Sequence, residues 1–113
     1  RNVVAVDVIR DRNALFRELP GGLIENVYNV KILNKDSEGH EFTIGAEGLP
    51  GLQVDYGAEE VEVGPGEVQS VAVRLRVPRG ELKGGSDIEF TIRTDDERAL
   101  EATGKARFLA PTN

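Results

Sequence analysis

Apolar and polar residues alternate with a period of two along most of the chain, and this pattern limits the possible folds more than any other feature. Six segments carry it: VVAVDVIR (3–10), IENVYNVKILN (24–34), EFTIGA (41–46), VQSVAVRLRV (68–77), SDIEFTIRT (86–94) and LEATGKARFL (100–109). Successive side chains of a strand point to opposite faces, so such alternation indicates antiparallel strands with one buried and one wet face. The expected core comprises Val4, Val6, Val8, Tyr28, Val30, Ile32, Phe42, Ile44, Val71, Val73, Leu75, Ile88, Phe90, Ile92, Leu100 and Phe108.

Turn-forming residues separate these segments. They lie at 20–22, 34–39, 49–51, 64–66, 84–85 and 94–98. Short strands with turns every 8–12 residues or so are typical of immunoglobulin-like sandwiches. We therefore predict an all-β fold, an immunoglobulin-like antiparallel β-sandwich of about seven strands, with residues 1–113 as a single domain. The stretch 11–19 is the only candidate helix, and its composition favours an irregular segment or a second edge strand.

Composition excludes several classes of site. The chain has 113 residues, no cysteine, no methionine and one histidine. Disulfides, iron–sulfur clusters and thiolate metal sites all need cysteine, so we expect no cofactor and no metal site in this domain. A formal net charge of −6 disfavours nucleic acid and anionic lipid as partners.

The chain also has no apolar run near the roughly 20 residues that span a bilayer, so we expect no direct membrane insertion by this segment. It opens on Arg1 rather than Met, from which we expect a fragment of a longer protein.

An enzyme needs a nucleophile, a base and a group that orients them. His40 is the only imidazole and ends a polar turn, where we expect a solvated side chain with nothing nearby to change its pKa. Ser37, Ser70 and Ser86 lack the context of an activated nucleophile. The sequence therefore predicts no catalytic residue.

A small-ligand module for sugar or calcium is the alternative reading. The acidic runs at 95–97 and 59–62 could supply oxygen ligands, but neither has the spacing of a known calcium loop, and we expect solvated turns. Only Phe16 and Tyr56 fall outside the inward-facing aromatic positions, which is weak support for a sugar platform. A carboxylate-lined or aromatic-lined pocket at one end of the sandwich would favour this alternative.

One polar cluster follows the first strand directly. It consists of Arg10, Asp11, Arg12, Asn13 and Arg17. In a structural role, Asp11 would end a bend, partly buried and satisfied by an Arg or by backbone N–H groups, and an Arg would reach Glu25 or Glu18. In an interaction role, the cluster would dock a partner, since Arg is enriched at interfaces. We expect the structural role for Asp11 and an exposed side chain for at least one of Arg10 and Arg12.

Four segments resemble the C-terminal immunoglobulin-like domain of the FixG/CcoG (RdxA) family. They are RDRNALFRE (10–18), GLIENVYNVKILNK (22–35), GLPGL (48–52) and VGPGEVQSVAVRLRVP (63–78). The resemblance runs over essentially the whole chain, and its first two segments are the most specific.

The resemblance implies a parent protein in the bacterial inner membrane. That parent has several membrane helices and two [4Fe–4S] clusters, and it serves the assembly of cbb3-type cytochrome oxidase, linked to copper reduction. The helices and cluster cysteines lie outside this chain. We therefore expect a non-catalytic domain on the periplasmic side, tethered through the parent. Its partners would be proteins of oxidase assembly or the parent's own membrane part, which it would contact or stabilise.

Overall fold

The computed structural model describes residues 3–13, 15–80 and 82–112, which form two antiparallel sheets packed face to face. The strands are β1 (Val4–Arg10), β2 (Arg17–Leu19), β3 (Leu23–Asn34), β4 (His40–Glu47), β5 (Gln53–Asp55), β6 (Val61–Val63), β7 (Val68–Pro78), β8 (Gly85–Thr94) and β9 (Glu101–Leu109). One sheet has the order β1-β3-β7-β5, with β2 also paired to β3, and the other has the order β6-β4-β8-β9. The predicted all-β sandwich is confirmed.

The long strands β3 and β7 organise the five-stranded sheet. Their register runs from Leu23 opposite Pro78 to Leu33 opposite Val68. Strand β1 lies on the other side of β3, with Val4 opposite Asn34. Within the described residues no helix is long and apolar enough to cross a membrane.

The core lies between the sheets where the alternation places it. Twelve of the expected core residues are buried: Val4, Tyr28, Val30, Ile32, Phe42, Ile44, Val73, Leu75, Ile88, Phe90, Ile92 and Phe108. The ring of Tyr28 meets that of Phe90 edge to face, with centroids 5.0 Å apart. The other four, Val6, Val8, Val71 and Leu100, are only half-buried and pack against this core.

The described chain forms nine strands rather than about seven. The two elements with no counterpart in the sequence prediction are β5 and β6, and like β2 each has three residues. Three residues are too few for an alternating pattern to stand out in a sequence. Strand β2 is the edge strand that the composition of residues 11–19 favours.

Asn34 and the polar turn that follows it build one end of the sandwich. The buried amide of Asn34 donates to the carbonyls of Glu38, Val63 and Gly64, at 2.9, 3.0 and 3.2 Å. Its Oδ1 accepts from the backbone N–H of Asp36 at 3.0 Å. The turn predicted at 34–39 is therefore held by its own side chains, and we call this end the Asn34 end.

Candidate functional site

The Arg cluster lies in a wide bulge of the edge strand. Arg10 stands opposite Tyr28, but Arg17 stands opposite Glu25. Only Asn26 and Val27 lie between these two partners on β3, so the chain from Arg10 to Arg17 has more residues than the stretch of β3 beside it. Bulges of this kind re-aim side chains and are common at sheet edges and functional sites.

Asp11 anchors the start of the bulge. Its backbone N–H donates to the carbonyl of Val27 at 2.8 Å, and its Oδ1 accepts from the backbone N–H of Asn13 at 2.9 Å. The half-buried carboxylate is thus satisfied by a backbone amide, and the nearest guanidinium, of Arg10, lies 3.5 Å from the Asp11 carbonyl. Arg12 and Asn13 are exposed.

Arg17 makes the expected ion pair with Glu25 at the far side of the bulge. Its Nη1 lies 3.2 Å from the Glu25 carboxylate, which is only 2% exposed. Arg76 donates to the same carboxylate at 2.9 Å and to Asp55 at 3.2 Å, and Arg74 lies 4.0 Å away. The bond to Glu25 raises the pKa of Arg76. This convergence of three cations on one buried carboxylate was not predicted, because Arg74 and Arg76 meet Glu25 only through the β3–β7 register.

A shallow groove of about 520 Å³ lies between the bulge and the outer face of the five-stranded sheet. Small or polar side chains from β3 and β7 form its floor: Asn29, Ser70 and Ala72. The rest of its lining is Ile9, Arg10, Asp11, Arg12, Val27 and Tyr28. We call this feature the outer-face groove. Ile9 is 41% exposed there, and no described side chain pairs with Arg12.

His40 contradicts the prediction of a solvated turn residue. Its side chain is 3% exposed and lies between two carboxylates. Nε2 is 2.7 Å from Oδ2 of Asp36, and Nδ1 is 3.0 Å from Oδ2 of Asp96. A neutral imidazole has one N–H, so it would turn a lone pair toward one of these oxygens. The geometry therefore fits the imidazolium, which donates from both nitrogens.

The surroundings of His40 shift three pKa values. The hydrogen bond to Asp36 raises the pKa of His40 despite its burial, and the same bond lowers the pKa of Asp36. Burial alone would raise the pKa of Asp96, but hydrogen bonds from Thr94 and His40 outweigh it and lower that pKa. Arg98 also contacts Asp36, so two cations and two anions balance. We call Asp36, His40, Asp96 and Arg98 the His40 cluster.

The His40 cluster joins two turns at the Asn34 end. Asp36 belongs to the turn before β4, and Asp96 to the turn between β8 and β9. Oδ1 of Asp96 also accepts from Thr94 Oγ1 and from the backbone N–H of Arg98, both at 3.0 Å. Asp36 lies four residues before His40, which a sequence can reveal, whereas the approach of Asp96 depends on the fold. The run 95–97 is therefore not a purely solvated turn.

A carboxylate-lined hollow of about 360 Å³ lies beside this cluster, lined by Gly39, His40, Glu41, Glu62, Asp95 and Asp96. It is the kind of pocket that would favour a calcium module. Its imidazole and Asp96 are already bonded within the protein, and in the described part of the chain no three His, Asp or Glu residues converge to hold a metal ion. A side-chain hydrogen bond with Glu41, and then the repulsion between the two charges, raises the pKa of Glu60. The hollow collects negative charge without forming a coordination shell.

The aromatic residues form no platform for a sugar. The hydroxyl of buried Tyr28 donates to the Arg107 carbonyl at 2.8 Å, and burial raises its pKa. Tyr56 donates to the Glu59 carbonyl at 2.9 Å and is half-buried, as is Phe16. Both pack against the core.

Comparison with known proteins gives a family match over almost the full length. Residues 1–111 match the family described as "IG-like fold at C-terminal of FixG", a protein to which an oxidoreductase activity is ascribed. The chain is similar to a solved structure titled as a FixG-related protein from Vibrio parahaemolyticus, with 29% identity, a TM-score of 0.82, and coverage of 96% of this chain and 97% of that one. A search of curated proteins finds no match.

Proposed function

Because the chain belongs to the family of immunoglobulin-like domains at the C-terminal end of FixG, we propose that it is a non-catalytic accessory domain that makes protein–protein contacts for its parent. Its partners would be proteins of cbb3-type oxidase assembly, or the parent's own membrane part, which it would stabilise. Its place would be the periplasmic side of the inner membrane. The two [4Fe–4S] clusters and the copper-reducing chemistry would belong to the parent, outside this chain.

The outer-face groove is the observation that supports a contact role. It combines an exposed apolar side chain, Ile9, with an Arg12 guanidinium that no described side chain engages. Arg is among the residues that carry most of the binding energy at protein interfaces, and the buried centre of an interface is more apolar than its rim. The His40 cluster, by contrast, satisfies its own charges and leaves no free base for catalysis.

The test compares the chain with variants in a pull-down from membranes of a strain that assembles the oxidase. Arg10→Ala with Arg12→Ala should reduce capture of assembly proteins or of the parent's membrane part. Lys83→Ala with Lys105→Ala removes two other exposed cations and serves as the matched control. Equal capture by both double variants, or no capture by the unsubstituted domain, would contradict the contact role.

A second measurement separates contact from stabilisation. The same substitutions are placed in the full-length parent, and its level and the oxidase activity are both measured. Lost oxidase activity with a normal level of the parent protein indicates contact, and a fall in that level indicates stabilisation.

Titration of the domain with CaCl2 tests the calcium alternative. A stoichiometric calcium site would favour a ligand-binding module over a contact domain.

A further inference from the structure

The floor of the outer-face groove is a hollow on the solvent-facing side of the five-stranded sheet. Ile9, Asn29 and Ala72 lie in one row across β1, β3 and β7, as the registers place Ile9 opposite Asn29 and Asn29 opposite Ala72. Ser70 and Ala72 have short side chains, and both are exposed. The row therefore leaves room for one apolar side chain from outside, against Ile9 and the methyl group of Ala72.

Positive charge gathers beside this hollow although the whole chain is acidic. The two rows on one side of it and the bulge carry Arg12, Arg17, Arg74 and Arg76, and the row on its other side carries Lys31 opposite Asp7. The three carboxylates among these arginines are each already hydrogen-bonded: Asp11 to the Asn13 amide, Glu25 to Arg17 and Arg76, and Asp55 to Arg76. Arg12 has no partner among the described residues, and Arg74 is 48% exposed at 4.0 Å from Glu25. This face thus carries surplus cations on a molecule whose formal net charge is −6.

We propose that the outer-face groove binds an acidic segment of a protein partner, with one apolar side chain in the hollow and carboxylates on Arg12 and Arg74. This proposal rests on the proposed contact function and names the chemistry of its partner. Guanidinium groups pair well with carboxylates in a bidentate way, and an apolar anchor between them is typical of interface centres. Charge complementarity selects an acidic segment over a basic or neutral one.

Binding is tested with a fluorescein-labelled synthetic peptide in which Asp and Glu flank a single Leu. Arg12→Ala should weaken its binding about fivefold, and Ala72→Glu roughly tenfold, because each removes or opposes a charge-assisted contact. Lys105→Ala and Thr103→Glu make the same charge changes at exposed positions of β9 on the other sheet, and should change binding less than twofold. Thermal melts verify that all four variants are folded.

Three results would overturn the proposal. The control variants could weaken binding as much as the groove variants, or the same peptide with Lys in place of its acids could bind equally well. Vesicles containing phosphatidylglycerol could also bind through Arg12 while the peptide does not, which would assign the groove to lipid.

Photo-crosslinking in the full-length parent separates this proposal from the proposed function. A benzoylphenylalanine at Ser70 should crosslink to a segment whose sequence, read by mass spectrometry, has Asp or Glu beside an apolar residue. Crosslinks at Thr103 but not at Ser70, or a basic segment at Ser70, would overturn the groove and keep a contact role. No protein crosslink at either position would overturn both.

Discussion

His40 shows how one side chain can connect two distant turns. A buried charge is costly unless opposite charges and hydrogen bonds compensate for its lost hydration. Here Asp36 and Asp96 compensate the imidazolium from both sides. Arg98, which contacts Asp36, balances the remaining negative charge. The residue therefore contributes to stability through its charge, and that contribution must depend on pH.

The pH dependence of stability has a defined sign. The pKa of folded His40 is raised, so its contribution is complete below the unfolded value of about 6.5 and is lost as pH rises through the folded pKa. We expect the melting temperature of the unsubstituted domain to exceed that of the His40→Gln variant most at about pH 5–6. The difference should shrink above about pH 7.

Melting curves over this pH range provide the measurement. A difference between the two proteins that stays constant or grows with rising pH would contradict the assignment of an imidazolium. Asp36 and Asp96 have lowered pKa values, so their contribution to stability is present at higher pH and is lost only as pH falls below about 4.

Glu25 is the second residue whose charge needs its neighbours. Glu25→Gln should destabilise the chain by about 1–3 kcal/mol, since it removes the negative charge and one of the two oxygens to which Arg17 and Arg76 donate. The cost stays below that of breaking a fully buried pair because the Arg17 side chain is 61% exposed. Arg17→Ala is the matched control and should cost under about 1 kcal/mol. Urea unfolding measures both, and equal costs would show that the Glu25 carboxylate is not the centre of the network.

At the scale of elements, the start of the edge bulge depends on a local hydrogen bond, from the backbone N–H of Asn13 to the Asp11 carboxylate. Asp11→Ala should cost about 1 kcal/mol, because it removes one hydrogen bond to a backbone amide at a half-buried site. Asp11→Asn keeps an acceptor at the same atom and should cost less than half as much. Unfolding free energies test this, and a loss above about 3 kcal/mol for Asp11→Ala would indicate a buried ion pair instead.

Aromatic packing in the core joins the two sheets, since Phe90 of β8 contacts Tyr28 of β3. Phe90→Ala should cost about 3–5 kcal/mol, because the ring is fully buried and meets Tyr28 edge to face. Phe16→Ala, at a half-buried aromatic position, is the comparison and should cost distinctly less. A loss under about 1 kcal/mol for Phe90→Ala, measured by denaturant unfolding, would place Phe90 outside the core.

At the scale of the whole molecule, the two faces differ in charge. The outer-face groove concentrates arginines on the five-stranded sheet, while Glu41 and Glu62 face each other across β4 and β6 on the other sheet. Like charges directly opposite on neighbouring strands destabilise a sheet.

Transition-metal binding is a further property of the whole domain. With no cysteine and no methionine, and with its one imidazole held by two carboxylates, the chain should bind Cu(I), Cu(II) and Zn(II) only weakly. Titration calorimetry of the chain should show no stoichiometric submicromolar site. A tight site that survives in His40→Gln would reveal ligands outside the His40 cluster.

The sequence by itself determined the class of fold, the long strands and most of the core. Alternation is a local property, because a strand sends neighbouring side chains to opposite faces whatever it pairs with. That is why Tyr28, Phe42, Phe90 and Phe108 could be placed inside before any pairing was known. The turn at 34–39 was predictable for the same reason, since its Asn and Asp side chains bond to nearby backbone.

Only the tertiary structure decided which charges meet. Asp96 reaches His40 across 56 residues of chain, and Arg76 reaches Glu25 across 51. The bulge between Arg10 and Arg17 follows from the registers of two strand pairs, which no local sequence pattern records. Hydrophobic periodicity sets the face on which a side chain lies, but register and turn geometry set its neighbours, and the pKa of His40 depends on those neighbours.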